Sequence, residues 1–287
     1  MTKSLSFAIL KAAKAKPHEN CVFVNISLRF ALVLPVFLTR GASKTQKEDK
    51  MSERFSRTEA LIGKDAAQKL KKARVAVFGI GGVGGYALEA LVRSGVGEID
   101  LIDSDTVAPT NLNRQIIATE TTIGKYKVEV AAQRAKSINP DVKINTRIAF
   151  FSAENENEFD FSSYDYVIDA IDTVSSKIVL ILKAEREGVK IISSMGTGNK
   201  LNPLAFEITD IYKTSVCPLA RVMRTELKRR GIKKLKVLYS KEEPIKALAD
   251  DGDAPKTRHA PASIAFVPSV AGLAIAGEVI KDLIKKA

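Results

Sequence analysis

The stretch from Ala73 to Gln115 holds most of the residues in this chain whose types and spacing could do chemistry. It opens with a glycine turn, Gly79-Ile80-Gly81-Gly82-Val83-Gly84-Gly85, reaches Asp103, and closes on the polar run Asn111-Leu112-Asn113-Arg114-Gln115. Glycines there let backbone N–H groups close on a phosphate, and the positive end of the following helix adds to the attraction. Asp103, 19 residues beyond Gly84, suits the two hydroxyls of an adenosine ribose. A nicotinamide or flavin enzyme would need little beyond these two features. Asp105, Asn113, Arg114, Gln115 and Lys127, however, all fall within the 24 residues after Asp103. Basic and amide groups gathered beside a phosphate can neutralise charge on a departing pyrophosphate. The set points to ATP, with a nicotinamide dehydrogenase left open as an alternative that would carry cofactor absorbance.

These groups need a strand, a tight turn and a helix to hold them. Arg74–Phe78 is a short β-branched, apolar run, and Tyr86–Val92 places Leu88, Leu91 and Val92 on one helical face. Glu98–Ile102 reads as a second strand that delivers Asp103 at its C-terminal edge. A helix over Gly124–Ser137 and strands over Val142–Ile148 and Tyr166–Ile171 follow, the last carrying Asp172 to the same edge. Helix Ser175–Glu187 and strand Val189–Met195 extend the pattern, with antiparallel strands expected near Ala205–Tyr212 and Lys236–Tyr239. A final helix, Val270–Lys285, carries Ala271, Gly272, Ala274, Ala276 and Gly277, which suit close packing in a core or a dimer interface. Strands alternating with helices predict an α/β, Rossmann-like fold. Its mostly parallel sheet is flanked by helices, additional antiparallel strands lie in the C-terminal part, and ligands bind at the C-terminal strand ends.

The motifs Gly79-x-Gly81-Gly82-x-Gly84, Asp103-x-Asp105, Asn111-x-Asn113-Arg114-Gln115, Gly124-x-x-Lys127 and Asp169-Ala170-Ile171-Asp172, in that order, resemble the ubiquitin-activating-enzyme-like superfamily of adenylating proteins. The resemblance implies that Asp103 holds ribose, that Asn113, Arg114, Gln115 and Lys127 hold the phosphates, and that Asp172 positions magnesium. Arg54-Phe55-Ser56-Arg57, ahead of a helix predicted over Thr58–Lys72, is similar to the family's N-terminal arginine segment. That likeness implies a homodimer in which Arg57 reaches the neighbour's ATP; an N-cap region with solvated arginines is the plainer alternative. Two later segments, Asp210–Ala220 and Ser263–Gly272, resemble the tRNA threonylcarbamoyladenosine dehydratase branch. This implies that the carboxylate of a threonylcarbamoyl group on tRNA is activated by ATP and closed into a hydantoin with loss of water. Arg114, Lys127 and Asp172 would then be the catalytic set. The alternative within the superfamily is adenylation of the C-terminus of a small sulfur-carrier or ubiquitin-like protein. Members of that kind often hold zinc on two Cys-x-x-Cys pairs, whereas Cys21 and Cys217 are the two cysteines here, so no structural zinc is expected.

With only His18 and His259 in the chain, a histidine-based triad is not expected. Cys217, before Pro218 at a predicted helix start, is read as structural, with nucleophilic or sulfur-transfer use as the alternative, and a sulfur-transfer protein partner stays open. His259 lies in a polar stretch with Lys256 and Arg258, either a plain solvated loop or a mobile one on the substrate side. Half of the net charge of +12 resides in residues 1–50, which weakens charge as an argument for RNA. A cluster remains in Arg221, Arg224, Lys228, Arg229, Arg230, Lys233, Lys234 and Lys236, either a stripe for RNA phosphates or a solvated helix face. Residues 1–50 stand apart from the adenylating domain, 51–287, and are expected to be a dispensable, disordered extension or a mis-assigned start. Their apolar run Cys21–Leu38 contains Asn25, Arg29 and Pro35, a poor membrane span, and lies too far in for a signal peptide. Unpaired cysteines point to a reducing cytoplasm.

Overall fold

The computed structural model describes residues 43–246 and 261–285. The N-terminal lysines, His18, Cys21 and the apolar run after it, together with most of the polar loop containing Lys256, Arg258 and His259, lie outside the described residues. A glycine interrupts the first predicted helix: α1 (Ser43–Ile62) and α2 (Lys64–Lys72) are separated by Gly63, whose φ of +86° ends the first and starts the second in a new direction. The predicted helix over Thr58–Lys72 is therefore two helices. Arg54–Arg57 lies inside α1 rather than ahead of a helix, and α1 also runs across the boundary placed between residues 50 and 51.

The remaining elements alternate as expected. They are β1 (Arg74–Phe78), α3 (Gly84–Arg93), β2 (Glu98–Ile102), α4 (Lys127–Ile138), β3 (Lys143–Arg147), β4 (Tyr166–Asp169), α5 (Val174–Arg186), β5 (Ile191–Ser194), β6 (Phe206–Asp210), α6 (Pro218–Arg229), β7 (Lys236–Ser240) and α7 (Phe266–Ile284). One sheet takes all seven strands in the order β3-β2-β1-β4-β5-β7-β6. Every pairing is parallel except β6 on β7. Of the two late strands expected to be antiparallel, β7 thus extends the parallel sheet through β5, and β6 closes the edge as its antiparallel neighbour.

From Val75 to Phe78 β1 is apolar and buried because both of its faces are covered. Val75 and Val77 face a cluster shared with Leu88, Leu91 and Val92 of α3, Val128 and Ala131 of α4, and Ala271, Ile275 and Val279 of α7. Ala76 and Phe78 face the other way, into Phe151, Phe159, Phe161 and Leu180. Phe78 meets Phe151 edge to face, with ring centroids 5.1 Å apart, a favoured aromatic geometry. A third cluster, under α5 and α6, gathers Ile178, Met195, Met223, Leu227 and Tyr239. The C-terminal part of α7 is anchored at the N-terminal ends of the strands by Lys236, whose ammonium lies 2.8 Å from Glu278 and 2.5 Å from Asp282; Tyr166 donates to Asp282 at 2.9 Å. Among the described residues no helix is long and apolar enough to cross a membrane.

Candidate functional site

Strand order reverses between β1 and β4, so the loops leaving those two strands diverge and open a crevice beyond their C-terminal ends. A pocket of about 350 Å³ occupies it. Gly79, Gly81, Gly82, Asp103, Asp105, Asn111, Arg114, Gln115, Lys127 and Asp172 all line this pocket, although they span almost a hundred residues of sequence.

Two glycines make the turn tight enough. Gly79 has a φ of +89°, and a Cβ there would stand 2.7 Å from the carbonyl oxygen of Ala170. A Cβ on Gly84 would stand 1.8 Å from the carbonyl oxygen of Gly79, so Gly84 brings α3 against β1 rather than lining the cavity. Gly81, by contrast, has only the Gln115 side chain nearby, at 3.8 Å, which leaves its backbone open to a ligand. Asp103 fastens this turn to the end of β2: one carboxylate oxygen accepts from the Ile80 N–H at 2.6 Å and the other from the Asp105 N–H at 2.8 Å. Burial raises the Asp103 pKa above the ordinary carboxylate range, with those two backbone bonds and Lys127 pulling the other way.

Lys127 enters from across the loop. Gly124, at φ +82°, lets the chain turn back, its N–H bonds to the Val107 carbonyl at 2.8 Å, and the Lys127 N–H bonds to the Asp105 carbonyl at 3.0 Å. The Lys127 side chain is buried, and its ammonium sits 2.7 Å from the mostly exposed Asp105 carboxylate. Asp105 therefore aims the lysine. Asn111 organises the neighbouring turn: its Oδ1 accepts from the Ala108 N–H at 3.0 Å and its carbonyl from the Arg114 and Gln115 N–H groups. Arg114 is steadied by the Thr110 carbonyl and by Asn113 Oδ1, both at 2.9 Å. Asn113 itself does not line the pocket; its Nδ2 donates to the Ser263 carbonyl at 3.0 Å and ties down the opposite wall.

Asp172 is exposed at the pocket's edge. Beneath it lies an ion pair that sequence reading missed. Asp169, the last residue of β4, and Lys177 of α5 are both fully buried and 3.0 Å apart. Asp169 also accepts from Ser193 Oγ at 2.5 Å and from the Ile171 N–H at 3.2 Å, while Lys177 donates to the Ile171 carbonyl at 2.9 Å. The Ala170–Asp172 turn is thus held from inside on both its donor and acceptor sides. Asp169 opens the Asp169–Asp172 motif in the sequence, and the signal for its partner is a lysine one turn into a largely apolar helix.

Other wall residues were also missed. Ala149, Phe150 and Phe151 leave β3 at the ligand edge and supply an apolar side, while Thr197, Ser263 and Pro268 close the far side. The apolar triplet just beyond a predicted strand end was a usable signal; Thr197 carried none. Gln115 Oε1 and Ser176 Oγ are buried at the pocket without a hydrogen-bond partner among the described residues. Buried polar atoms are normally paired, so both fit a polar ligand. Among the described residues no three acidic, histidine or cysteine groups converge; Asp172 could share a magnesium ion with ligand phosphates, the usual arrangement for that metal.

Arg57 is not in this pocket. It lies exposed on α1, whose Phe55 packs on Gly95 at the entry to β2, the opposite edge of the sheet from the crevice. Cys217 caps the start of α6 and is buried among Ile178, Met195 and Met223.

A doubly wound sheet with a glycine turn and with Asp103, Arg114 and Lys127 gathered at its switch point has the architecture of a nucleotide-binding protein. The chain belongs to the ThiF family, whose model matches residues 55–287. It is 45% identical over 244 residues to a Bacillus subtilis tRNA threonylcarbamoyladenosine dehydratase, spanning 82% of this chain and 96% of that relative. Its fold is similar to the crystal structures of the Escherichia coli tRNA N6-threonylcarbamoyladenosine dehydratase in complex with AMP and with ATP. Their TM-scores are 0.76 and 0.74, each at 33% identity and covering 82% of this chain and 96% of the other.

Proposed function

We infer that this protein is an ATP-dependent tRNA threonylcarbamoyladenosine dehydratase. The observation that carries the reading is the convergence of Asp103, Arg114, Gln115, Lys127 and Asp172 on one pocket at the switch point, in a chain so similar along its length to such a dehydratase. In this reading Asp103 receives the ribose hydroxyls, and the glycine-turn amides with Arg114, Gln115 and Lys127 hold the phosphates. A magnesium ion at Asp172 would supply charge neutralisation between phosphate oxygens. The threonyl carboxylate oxygen attacks the α-phosphorus and pyrophosphate leaves; the substrate's carbamoyl nitrogen then closes on the activated carbonyl and AMP leaves. Ring closure uses the substrate's own nucleophile, so the protein's work is positioning and charge stabilisation, and a buried Cys217 needs no part in it. Arg57, on the far edge of its own chain, serves the ATP of a second copy in a homodimer. The active unit is residues 51–287, working in the cytoplasm.

The test is nucleoside mass spectrometry of threonylcarbamoyladenosine-bearing tRNA incubated with the protein, ATP and magnesium. A product lighter by one water, formed only with ATP, is expected. Unchanged tRNA, with pyrophosphate exchange appearing only when a small carrier protein is added, would overturn the reading in favour of a carrier-adenylating enzyme.

Asp103 gives the site a pH signature. Its folded pKa is raised by burial, so in the free protein the charged form is disfavoured, and a ribose hydroxyl donating to it recovers part of that cost. ATP affinity should therefore fall as pH drops through the raised Asp103 pKa, by up to about tenfold per pH unit, and level off above it. Calorimetric titration of wild type beside Asp103→Asn isolates this from the nucleotide's own protonation; parallel profiles for the two proteins would remove Asp103 from the ribose role.

A further inference from the structure

The basic cluster of α6 lies outside the residues that line the nucleotide pocket. α6 buries Ala220, Met223 and Leu227, so its opposite side faces solvent. Arg221 and Lys228, seven residues apart, fall on one exposed flank roughly 10 Å long. Lys233 and Lys234 are exposed in the segment that follows the helix. Glu226, the single acid on α6, is committed to Arg229 at 3.3 Å and Arg230 at 2.6 Å. Arg224 turns inward and donates to the Thr214 carbonyl at 3.0 Å. Arg221, Lys228, Lys233 and Lys234 have no carboxylate partner among the described residues, so their charge is available to a partner.

Position gives the stripe a use. At the N-terminal end of α6, a Cβ on Gly196 would lie 3.8 Å from both Cys217 Sγ and Leu219 Cβ, and the next residue, Thr197, lines the nucleotide pocket. The helix therefore starts against the pocket wall and carries its unpaired cations outward from it. We propose that the exposed flank of α6, through Arg221 and Lys228 and continuing to Lys233 and Lys234, binds the phosphate backbone of the tRNA whose modified base enters the pocket. This assignment rests on the dehydratase reading. Backbone contacts of this type set register and affinity without reading sequence, which suits an enzyme that recognises its substrate by the modified nucleoside.

The experiment compares full-length wild type with Arg221→Ala/Lys228→Ala and with Lys64→Ala/Lys136→Ala, a pair that removes the same charge from exposed sites on α2 and α4. Steady-state dehydration is measured with modified tRNA, and equilibrium binding to labelled tRNA is followed over a range of salt. For the α6 pair, KM for tRNA should rise about tenfold, with kcat and KM for ATP within about twofold of wild type. The slope of log affinity against log salt should fall in magnitude by about 0.7 to 0.9 for each cation removed. The α2/α4 pair should match wild type in both. Equal KM and salt slope for all three proteins would overturn the assignment, as would equal losses in the two pairs, which would mean net charge alone. The binding arm stands apart from turnover: wild type that binds tRNA with the expected slope but yields no dehydrated product would sink the dehydratase reading while leaving the RNA surface intact. Charge-neutral Arg221→Gln/Lys228→Gln, which keeps a polar side chain on the exposed flank, serves if the alanine pair folds poorly.

Discussion

Lys127→Ala should lower the rate of tRNA dehydration by about 10²- to 10³-fold, the usual consequence of removing one preorganised group that stabilises transition-state charge. Among the described residues that line the pocket, Lys127 is the one buried cation, its ammonium 2.7 Å from Asp105. In water a lysine beside a phosphate is screened; with its stem buried and its position fixed by Asp105, it needs no reorganisation when negative charge moves onto pyrophosphate. The fold should survive the change. Asp105 is mostly exposed, so losing its partner leaves a solvated carboxylate, and the helix it begins keeps its backbone bond from the Lys127 N–H. Single-turnover kinetics and a thermal melt separate the two effects. A turnover rate within a few-fold of wild type, in a protein of unchanged melting temperature, would remove Lys127 from the catalytic set.

Lys177→Met should cost stability first and activity second. The substitution leaves Asp169 fully buried with a charge and no cation, and breaking one partner of a buried pair typically costs about 3–5 kcal/mol. That is a large part of the total stability of most domains, so urea denaturation should show a sharply lowered midpoint. Replacing both partners, Asp169→Leu/Lys177→Met, should restore a good part of the loss, because no uncompensated charge remains. The double variant should still bind ATP and magnesium poorly: Lys177 no longer holds the Ile171 carbonyl, Asp169 no longer holds the Ile171 N–H, and the turn carrying Asp172 past Gly79 is released. If the double variant instead binds nucleotide as wild type does, the pair supports the fold and has no role in placing Asp172.

Much of the pocket could be read from sequence because its parts are local. A β-branched run followed by glycines and an amphipathic segment has one good solution, strand to turn to helix, and Asp103 and Lys127 lie at the ends of elements whose periodicity is plain. The fold class follows from the same alternation, since parallel neighbours need helical crossovers between them. Local signals were weaker where a single residue decides the direction of the chain: Gly63 breaks a helix whose side-chain pattern runs on unperturbed through it. Composition also gave the basic cluster of α6 but not its availability, because Glu226 and Thr214 take up some of its arginines and leave others free.

By itself, then, the amino-acid sequence determined a mostly parallel α/β fold and a tight glycine turn, and it singled out Asp103, Arg114, Gln115 and Lys127, which line one pocket. Tertiary structure alone decided that Asp169 meets Lys177 beneath Asp172, that Ser263 and Pro268 close the pocket opposite Asn113 and Gly82, and that Arg57 sits on the far edge of the sheet from its own chain's crevice. The physical reason is range. Backbone conformation and amphipathic periodicity are set by neighbours a few residues apart, whereas a buried ion pair or a wall built by residues 150 positions away depends on how sheet and helices pack, and leaves no periodic trace in the chain.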